Sequence, residues 1–189
     1  GKRTGERAAC VKREWRGSVE AAKALGMYDV KPPLSVAAGG SMTAVCTAEG
    51  ELFTFGKGKD GRLGHGGEQN ELVPRLVEAL AGKKVVGAVA GAFHTAAWTE
   101  EGELFTFGDG YFGKLGHGGT QTESVPRLVE ALVGKKVVGA AAGARHTVVW
   151  TEAGEIFTFG AGIFGRLGHG GLGTQNELVP RLVETLAGK

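Results

Sequence analysis

The heptapeptide Gly50-Glu51-Leu52-Phe53-Thr54-Phe55-Gly56 occurs three times in this chain. It returns as Gly102-Glu103-Leu104-Phe105-Thr106-Phe107-Gly108 and as Gly154-Glu155-Ile156-Phe157-Thr158-Phe159-Gly160, each 52 residues after the last. Leu63-Gly64-His65-Gly66-Gly67 recurs from Leu115 and from Leu167 at the same spacing. Val73-Pro74-Arg75-Leu76-Val77-Glu78 recurs from Val125 and then, after two extra residues, from Val179. A period this long with this much identity marks an array of supersecondary units. A side chain present in every unit serves the architecture, so specific activity is expected where the units differ.

One unit, Lys84 to Lys135, shows the plan. Val85-Val86-Gly87-Ala88-Val89-Ala90 is small and apolar, suited to a strand packed against neighbouring backbone. Thr95–Thr99 and Leu104–Phe107, joined across Glu101-Gly102, read as a hairpin. Gly108 to Gly119 is a glycine-rich loop. The closing segment Val125–Leu132 is ambiguous between helix and strand, because Val125, Leu128, Val129 and Leu132 have helical spacing while Pro126 suits an outer strand. The outer strand, with one turn of helix, is the reading that gives the other strands a partner. Three or four short strands per unit is the size of a propeller blade. The fold class expected is therefore all-β, in three blades at 35–83, 84–135 and 136–189. In the first unit Met42 stands where the others have His94 and His146, and Cys46 where they have Trp98 and Trp150. Such divergence at an end reads as a terminal cap.

Thirty-five glycines fall at fixed positions in the repeat, which argues for tight turns and against a flexible linker. No apolar run is long enough to span a bilayer. The formal charge of +2 hides an asymmetry: residues 1–31 hold eight basic and four acidic residues, a net +4, and the remainder holds 14 and 16, a net −2. The basic character belongs to the leader, and the array lacks the basic stripe of a nucleic-acid binder. Cys10 and Cys46 form no recognisable spacing, so a reducing, intracellular compartment, cytoplasmic or nuclear, is expected. In the leader, 1–34, the residues Ala8, Val11, Trp15, Val19 and Ala22 share a helical face, interrupted by Gly17 at ~1 kcal/mol relative to Ala. It reads as a marginal helix that orders on contact, or as a disordered arm.

Gly91-Ala92-Phe93-His94-Thr95, the Phe-Thr-Phe-Gly strand end, Phe112-Gly113-Lys114-Leu115-Gly116-His117-Gly118 and Pro126–Val129 resemble the repeat of the RCC1 (regulator of chromosome condensation) family. The resemblance implies β-propeller blades, in the family usually seven to a ring. This sequence departs from the family pattern in its loop. Where the family usually has Asn, two residues after the strand-ending glycine, the chain has Gly58, Gly110 and Gly162. Where the family has Gln before Leu-Gly, the chain has Arg62, Lys114 and Arg166. Three cations at one structural position would line one rim and suit an acidic protein partner; the alternative is solvated cations replacing glutamine at little cost. Tyr111, Phe112 and Phe164, among the residues that vary between units, are the candidate aromatic anchors, against packing within the loop.

Propellers typically close with four to eight blades, so three should leave two open strand edges. A fragment of a longer array, two chains joined head to tail into a six-bladed ring, and an array capped by its leader or another protein all satisfy this. His65, His117 and His169 occupy equivalent points on different blades, which suits packing within each loop better than a shared metal. No catalytic constellation and no cofactor motif is present. Gly56-Lys57-Gly58-Lys59-Asp60-Gly61 fits a dinucleotide pattern only loosely, with no helix to follow.

The function expected is a non-catalytic protein-interaction scaffold, bound by loops on one rim. The alternative the resemblance implies is guanine-nucleotide exchange on a small GTPase. That activity belongs to a complete ring with an inserted wedge, and the longest insertion here is Leu172-Gly173. Ultraviolet sensing, known for some plant relatives, implies Trp just before His-Thr; the chain has Ser41, Phe93 and Arg145 there.

Overall fold

The computed structural model describes residues 32–170 and 175–186. The leader reading over residues 1–31 and the Leu172-Gly173 insertion lie outside them. The described residues form twelve strands in three separate antiparallel sheets. The first contains β1 (Ser35–Ala38), β2 (Met42–Cys46), β3 (Leu52–Gly56) and β4 (Glu71–Leu76). The second contains β5 (Val85–Ala90), β6 (His94–Thr99), β7 (Leu104–Gly108) and β8 (Glu123–Leu128). The third contains β9 (Val137–Ala142), β10 (His146–Thr151), β11 (Ile156–Gly160) and β12 (Glu177–Leu182). In each sheet the strands pair in chain order, a four-stranded meander of blade type.

The Glu-Gly hairpin forms as the sequence predicts. Gly102 sits at φ +87° and its N–H donates to the Thr99 carbonyl at 3.0 Å, a left-handed turn position that favours glycine. The ambiguous proline segment resolves into both of its elements. It is the outer strand, and it ends in a single 3₁₀ turn at Glu78–Leu80, Glu130–Leu132 and Glu184–Leu186. Arg75 pairs with Thr54 and Glu71 with Gly56, so three residues of the outer strand, Leu72 to Pro74, oppose Phe55 alone. That bulge bows Pro74 outward at an edge, where its missing N–H removes no ladder bond.

The core lies between sheets. Met42, Ala44, Leu52, Leu63, Val77 and Leu80 of the first blade pack on Val85, Ala88, Phe105 and Phe107 of the second. Ala96, Leu104, Val129 and Leu132 of the second pack on Val137, Ala140, Val149, Phe157 and Phe159 of the third. This corrects the expectation of open strand edges. Blades join face to face, so what a three-blade array leaves over is two sheet faces.

The cap reading is corrected as well. Met42 and Cys46 lie in the first seam, pointing at the second blade. The outward face of the first blade keeps Thr43, Phe53 and Phe55, the residue types that the other blades bury as Thr95, Phe105 and Phe107. Divergence sits on the inner side, whereas a cap would place polar residues on the outer one.

The Met42 and Cys46 substitutions have a local logic. Trp98 pairs across the ladder with Gly87, and a Cβ built on Gly87 would meet the indole at 2.2 Å. Trp150 lies over Gly139 in the same way, at 2.1 Å. In the first blade the corresponding pair is Cys46 and Ser35, a small side chain that needs no glycine beneath it. Glycine here makes room, and its φ is unexceptional. Gly87→Val should therefore lower unfolding stability by about 1–3 kcal/mol through overpacking, measured by urea denaturation. Ser35→Val should change it by about 0.5 kcal/mol or less.

Candidate interaction surface

Each blade's third strand runs into a loop held by side-chain bonds to its own blade. Thr106 Oγ1 donates to the Leu115 carbonyl at 2.6 Å and lies 2.9 Å from His117 Nε2. A hydroxyl has one hydrogen, and here it goes to the carbonyl, so His117 Nε2 carries the proton and donates to Thr106. Thr54–His65 and Thr158–His169 repeat the arrangement. These histidines tie loop to strand within one blade. Among the described residues no group of three or more His, Cys, Asp or Glu is placed to hold a metal ion.

The same loop carries a backbone feature the sequence did not disclose. Asp60, Phe112 and Phe164 occupy left-handed backbone at φ 61°, 69° and 63°. The conformation costs non-glycine residues roughly 1–2 kcal/mol. It turns the loop so that Tyr111 stands 61% exposed beside Phe112, ring centroids 4.2 Å apart. Phe112 is half-buried, with the Arg145 guanidinium from the third blade 5.4 Å above its ring. Phe164, in the third blade, is 93% exposed.

The three cations do not form a solvated row. Arg62 is buried: Nε donates to the Lys59 carbonyl, Nη2 to the Asp60 carboxylate at 2.7 Å, and Nη1 to the Ala92 carbonyl of the next blade at 2.8 Å. Lys114 is buried as well, its Nζ 2.7 Å from Asp109 and 3.0 Å from the Tyr111 carbonyl. Burial pulls the Lys114 pKa down, and Asp109 offsets part of that fall. Burial alone would raise the Asp109 carboxyl, but the Lys114 and Tyr111 hydrogen bonds hold it below its ordinary value. The physical reason for the correction is the neighbouring acid. Asp60 and Asp109 stand at different loop positions yet each neutralises its own blade's cation. The third blade has Phe164 and Ala161 at those positions. Arg166 is half-buried and donates to the Ile163 carbonyl at 3.0 Å, with no carboxylate partner among the described residues.

Gly58, Gly110 and Gly162, the other departure in the loop, sit against opposing backbone. A Cβ on Gly110 would fall 1.8 Å from the Gln121 carbonyl oxygen. Asparagine there would require the loop to move.

The seams carry a second set of polar contacts. Thr147 Oγ1 donates to the Lys114 carbonyl at 2.7 Å and lies 2.8 Å from His94 Nε2. By the same count of hydrogens, His94 donates to Thr147, which donates to Lys114. Thr95 makes the corresponding bond to the Arg62 carbonyl at 2.8 Å, with Met42 Sδ at 3.3 Å in place of the imidazole. Burial, reinforced by the Lys114 charge, pushes the His94 pKa down to about 3. Clefts of about 220 and 230 Å³ recur on corresponding flanks of the two seams, beside Lys83–Lys84 and Lys135–Lys136. Their recurrence marks them as products of blade packing.

The model of the regulator of chromosome condensation (RCC1) repeat matches residues 49–98, 101–150 and 153–189. The chain belongs to the RCC1 repeat family. Each matched segment begins at the hairpin turn, so an RCC1 sequence repeat takes the last two strands of one blade and the first two of the next. The E3 ubiquitin-protein ligase HERC2 of Homo sapiens is 40% identical over 168 residues, 88% of this chain and 3% of HERC2. The ultraviolet-B receptor UVR8 of Arabidopsis thaliana is 38% identical over 152 residues, 80% of this chain and 34% of UVR8. The chain thus spans a small part of HERC2 and about a third of UVR8. Human WBSCR16 superposes with a TM-score of 0.72 at 28% identity, over 82% of this chain and 39% of that one. Prp20p of Saccharomyces cerevisiae gives 0.70 at 19% identity, over 78% and 37%. The RCC1 blade fold is established by these matches. Where the resemblance to plant relatives implies Trp, Phe93 and Arg145 instead make arginine–aromatic contacts, with Arg62 at 5.3 Å and Phe112 at 5.4 Å. Trp98 is half-buried at the second seam, as a core residue, and Trp150 is 41% exposed on the outward face of the third blade.

A pH dependence follows from His94. Its folded pKa of about 3 lies below the ordinary 6.5, so between those values the unfolded chain binds the extra proton. Stability is whole above pH 6.5 and falls as pH is lowered, by about 2 kcal/mol from this residue at pH 5. Urea midpoints at pH 7.5, 6 and 5 should show this fall. His94→Gln should flatten the slope by about one proton.

Proposed function

We propose that the chain is a non-catalytic protein-interaction scaffold of RCC1 blades, its partner held by the loops of one rim. The observation that carries this reading is the Tyr111–Phe112–Arg145 group. Two aromatic rings 4.2 Å apart are set on a loop fixed by buried Lys114, and a guanidinium from the third blade lies 5.4 Å from one of them. Aromatic residues and arginine on a rigid support are the side chains that dominate binding hot spots. Phe164 and Arg166 extend the group onto the third blade. The exposed Lys57 and Lys59 of the first blade, with Arg145 and Arg166, give the rim its positive charge and favour an acidic partner. Arg62 and Lys114 serve this rim from beneath, by bracing its loops.

Engagement of proteins has precedent in the fold, since Prp20p is described with binding to Gsp1p and histones and in a complex with Kap60. The ligase activity in HERC2's name stays with HERC2, of which this chain spans 3%. Buried Cys46, whose thiol burial pushes up to about 11, is held free and fits an intracellular, cytoplasmic or nuclear setting. No described helix is long and apolar enough to cross a membrane. A further part of the reading is that a second chain completes the ring, giving a dimer.

Photo-crosslinking tests the rim. A benzophenone side chain in place of Tyr111 should capture a protein partner, and one in place of exposed Glu101 on the hairpin turn should not. With the benzophenone kept at position 111, Phe164→Ala should weaken capture by about tenfold or more, since hot-spot truncations cost about 2 kcal/mol. Equal capture from both positions removes the rim reading. Nucleotide release from a small GTPase separates the exchange-factor alternative: the scaffold reading expects no acceleration.

A further inference from the structure

The two outward faces of the array are the two halves of one seam. In the internal seams a blade offers, on the side toward the next blade, a histidine or methionine, small or branched apolar residues, and the carbonyl of the loop cation. It receives a threonine and two phenylalanines. The third blade's outward face offers His146, Val148, Trp150 and Ile156 together with the Arg166 carbonyl, the counterparts of His94, Ala96, Trp98, Leu104 and the Lys114 carbonyl. The first blade's outward face offers Thr43, Phe53 and Phe55, the counterparts of Thr147, Phe157 and Phe159. Inside a seam these groups are closed off: His94, Thr147 and Phe159 are 0% exposed and Phe157 is 6%. On the outward faces His146, Thr43, Phe53 and Phe55 are half-buried, Val36 is 59% exposed and Trp150 41%. Among the described residues His146 Nδ1 is buried without a partner, as His94 Nδ1 is within its seam. Among the described residues no bond is made by His146 Nε2 or Thr43 Oγ1, the two atoms that the internal seam joins.

The loop contacts are unfilled in the same register. Gly66 N–H donates to the Ser124 carbonyl and Gly118 N–H to the Leu178 carbonyl, both at 2.9 Å. The next in the series are Gly170 N–H and the Leu72 carbonyl, and Leu72 is 93% exposed. Gly116 lies against the Phe159 ring, where a Cβ would fall at 2.9 Å, and its counterpart Gly168 has no ring from a following blade against it.

We infer that the outward face of the third blade binds the outward face of the first blade of a second copy, through Thr43 bridging His146 Nε2 and the Arg166 carbonyl. This rests on the reading that a second chain completes the ring, and names the faces and atoms that do it. The contact is heterologous, and two copies of these three blades supply six, within the four to eight from which propellers are built, whereas three copies would supply nine. The occupant is a second copy because each face already has its complement on the same chain, with the pairing seen inside the molecule.

The experiment blocks one face at a time on the full chain. Val36→Glu spoils the first blade's face and Ala141→Glu the third's, both at exposed positions, so circular dichroism should match the unaltered protein. By sedimentation equilibrium the unaltered chain should be a dimer and each variant a monomer. An equimolar mixture should form a 1:1 dimer, weaker than the unaltered one because a single seam survives. Thr43→Val, which keeps shape and removes the hydroxyl bridge, should weaken the dimer at least tenfold while the monomer folds normally. A monomeric unaltered chain overturns both this inference and the ring completed by a second chain. A dimer that persists in either Glu variant, or a mixture no heavier than its parts, overturns the assignment of faces and leaves dimerisation standing.

Discussion

The face-to-face seam is the interaction on which everything else in this molecule depends. A single four-stranded sheet of small residues has no core of its own. Each blade buries its apolar side only by lending it to the next, so the hydrophobic gain is made between units. The polar contacts then fix the register. The chain His94–Thr147–Lys114 carbonyl runs from the second blade's strand to the third blade's strand and back to the second blade's loop. It satisfies a buried hydroxyl and a buried carbonyl at once, and each would otherwise carry a desolvation cost of about 1–3 kcal/mol. Because the loop cation's own carbonyl receives the bond, the seam and the rim loop are one structure. The surface proposed to meet a partner is thereby braced by the contact that stacks the blades.

Charge follows the same economy of position. Lys114 and Arg62 are buried close to the seams, where an unpaired cation would be costly, and each finds an acid within its own loop. The acids come from different positions because the two side chains have different reach and shape. Arg62 folds back with three separate donors, onto Asp60, Lys59 and the neighbouring Ala92, while Lys114 extends as a single donor group to Asp109 and Tyr111. The third loop has a cation and no acid, and it is also the loop with no blade beyond it among the described residues. Uncompensated charge and uncovered apolar surface coincide at Arg166 and Phe164.

Much of the fold was legible from periodicity. The 52-residue spacing, the Glu-Gly turns and the Phe-Thr-Phe-Gly strand ends predict four-stranded blades, and the proline segment proved to be both outer strand and helical turn because it contains each in succession. The surface was less legible. A sequence of glycines and a cation at a loop position says nothing of whether the cation faces water, since burial depends on the Cβ room and carbonyl directions that only the assembled loop defines. The signal that was present, an acid in the first two loops and none in the third, is visible only once those loops are known to fold back on themselves. The left-handed residues Asp60, Phe112 and Phe164 have no common chemistry and could not be read from composition. The seam is not legible as a face, because the sequence pattern points to the exposed edges that are the usual problem of isolated sheets, whereas blades leave faces open.

The divergent first unit bears directly on how the array meets its surroundings. Met42 and Cys46 differ from their counterparts, yet both point into the first seam, where each change has a partner that fits it: Ser35 across from Cys46, Thr95 against the Met42 sulfur. A thioether accepts weakly and donates nothing, so that seam lacks the imidazole proton of its neighbour and relies more on apolar packing. The outward face of the same blade, with Thr43, Phe53 and Phe55, retains the groups that receive an imidazole donor. His146 on the far side of the array is such a donor. If the first unit had diverged toward meeting water, its changes would lie on that outward face and would be polar. Met42 and Cys46 lie on the other face, and the change on the outward face, Val36 where the other blades have Ala88 and Ala140, is apolar. The pairing proposed across the ends therefore resembles the second seam, with its hydrogen-bonded histidine, more closely than the first.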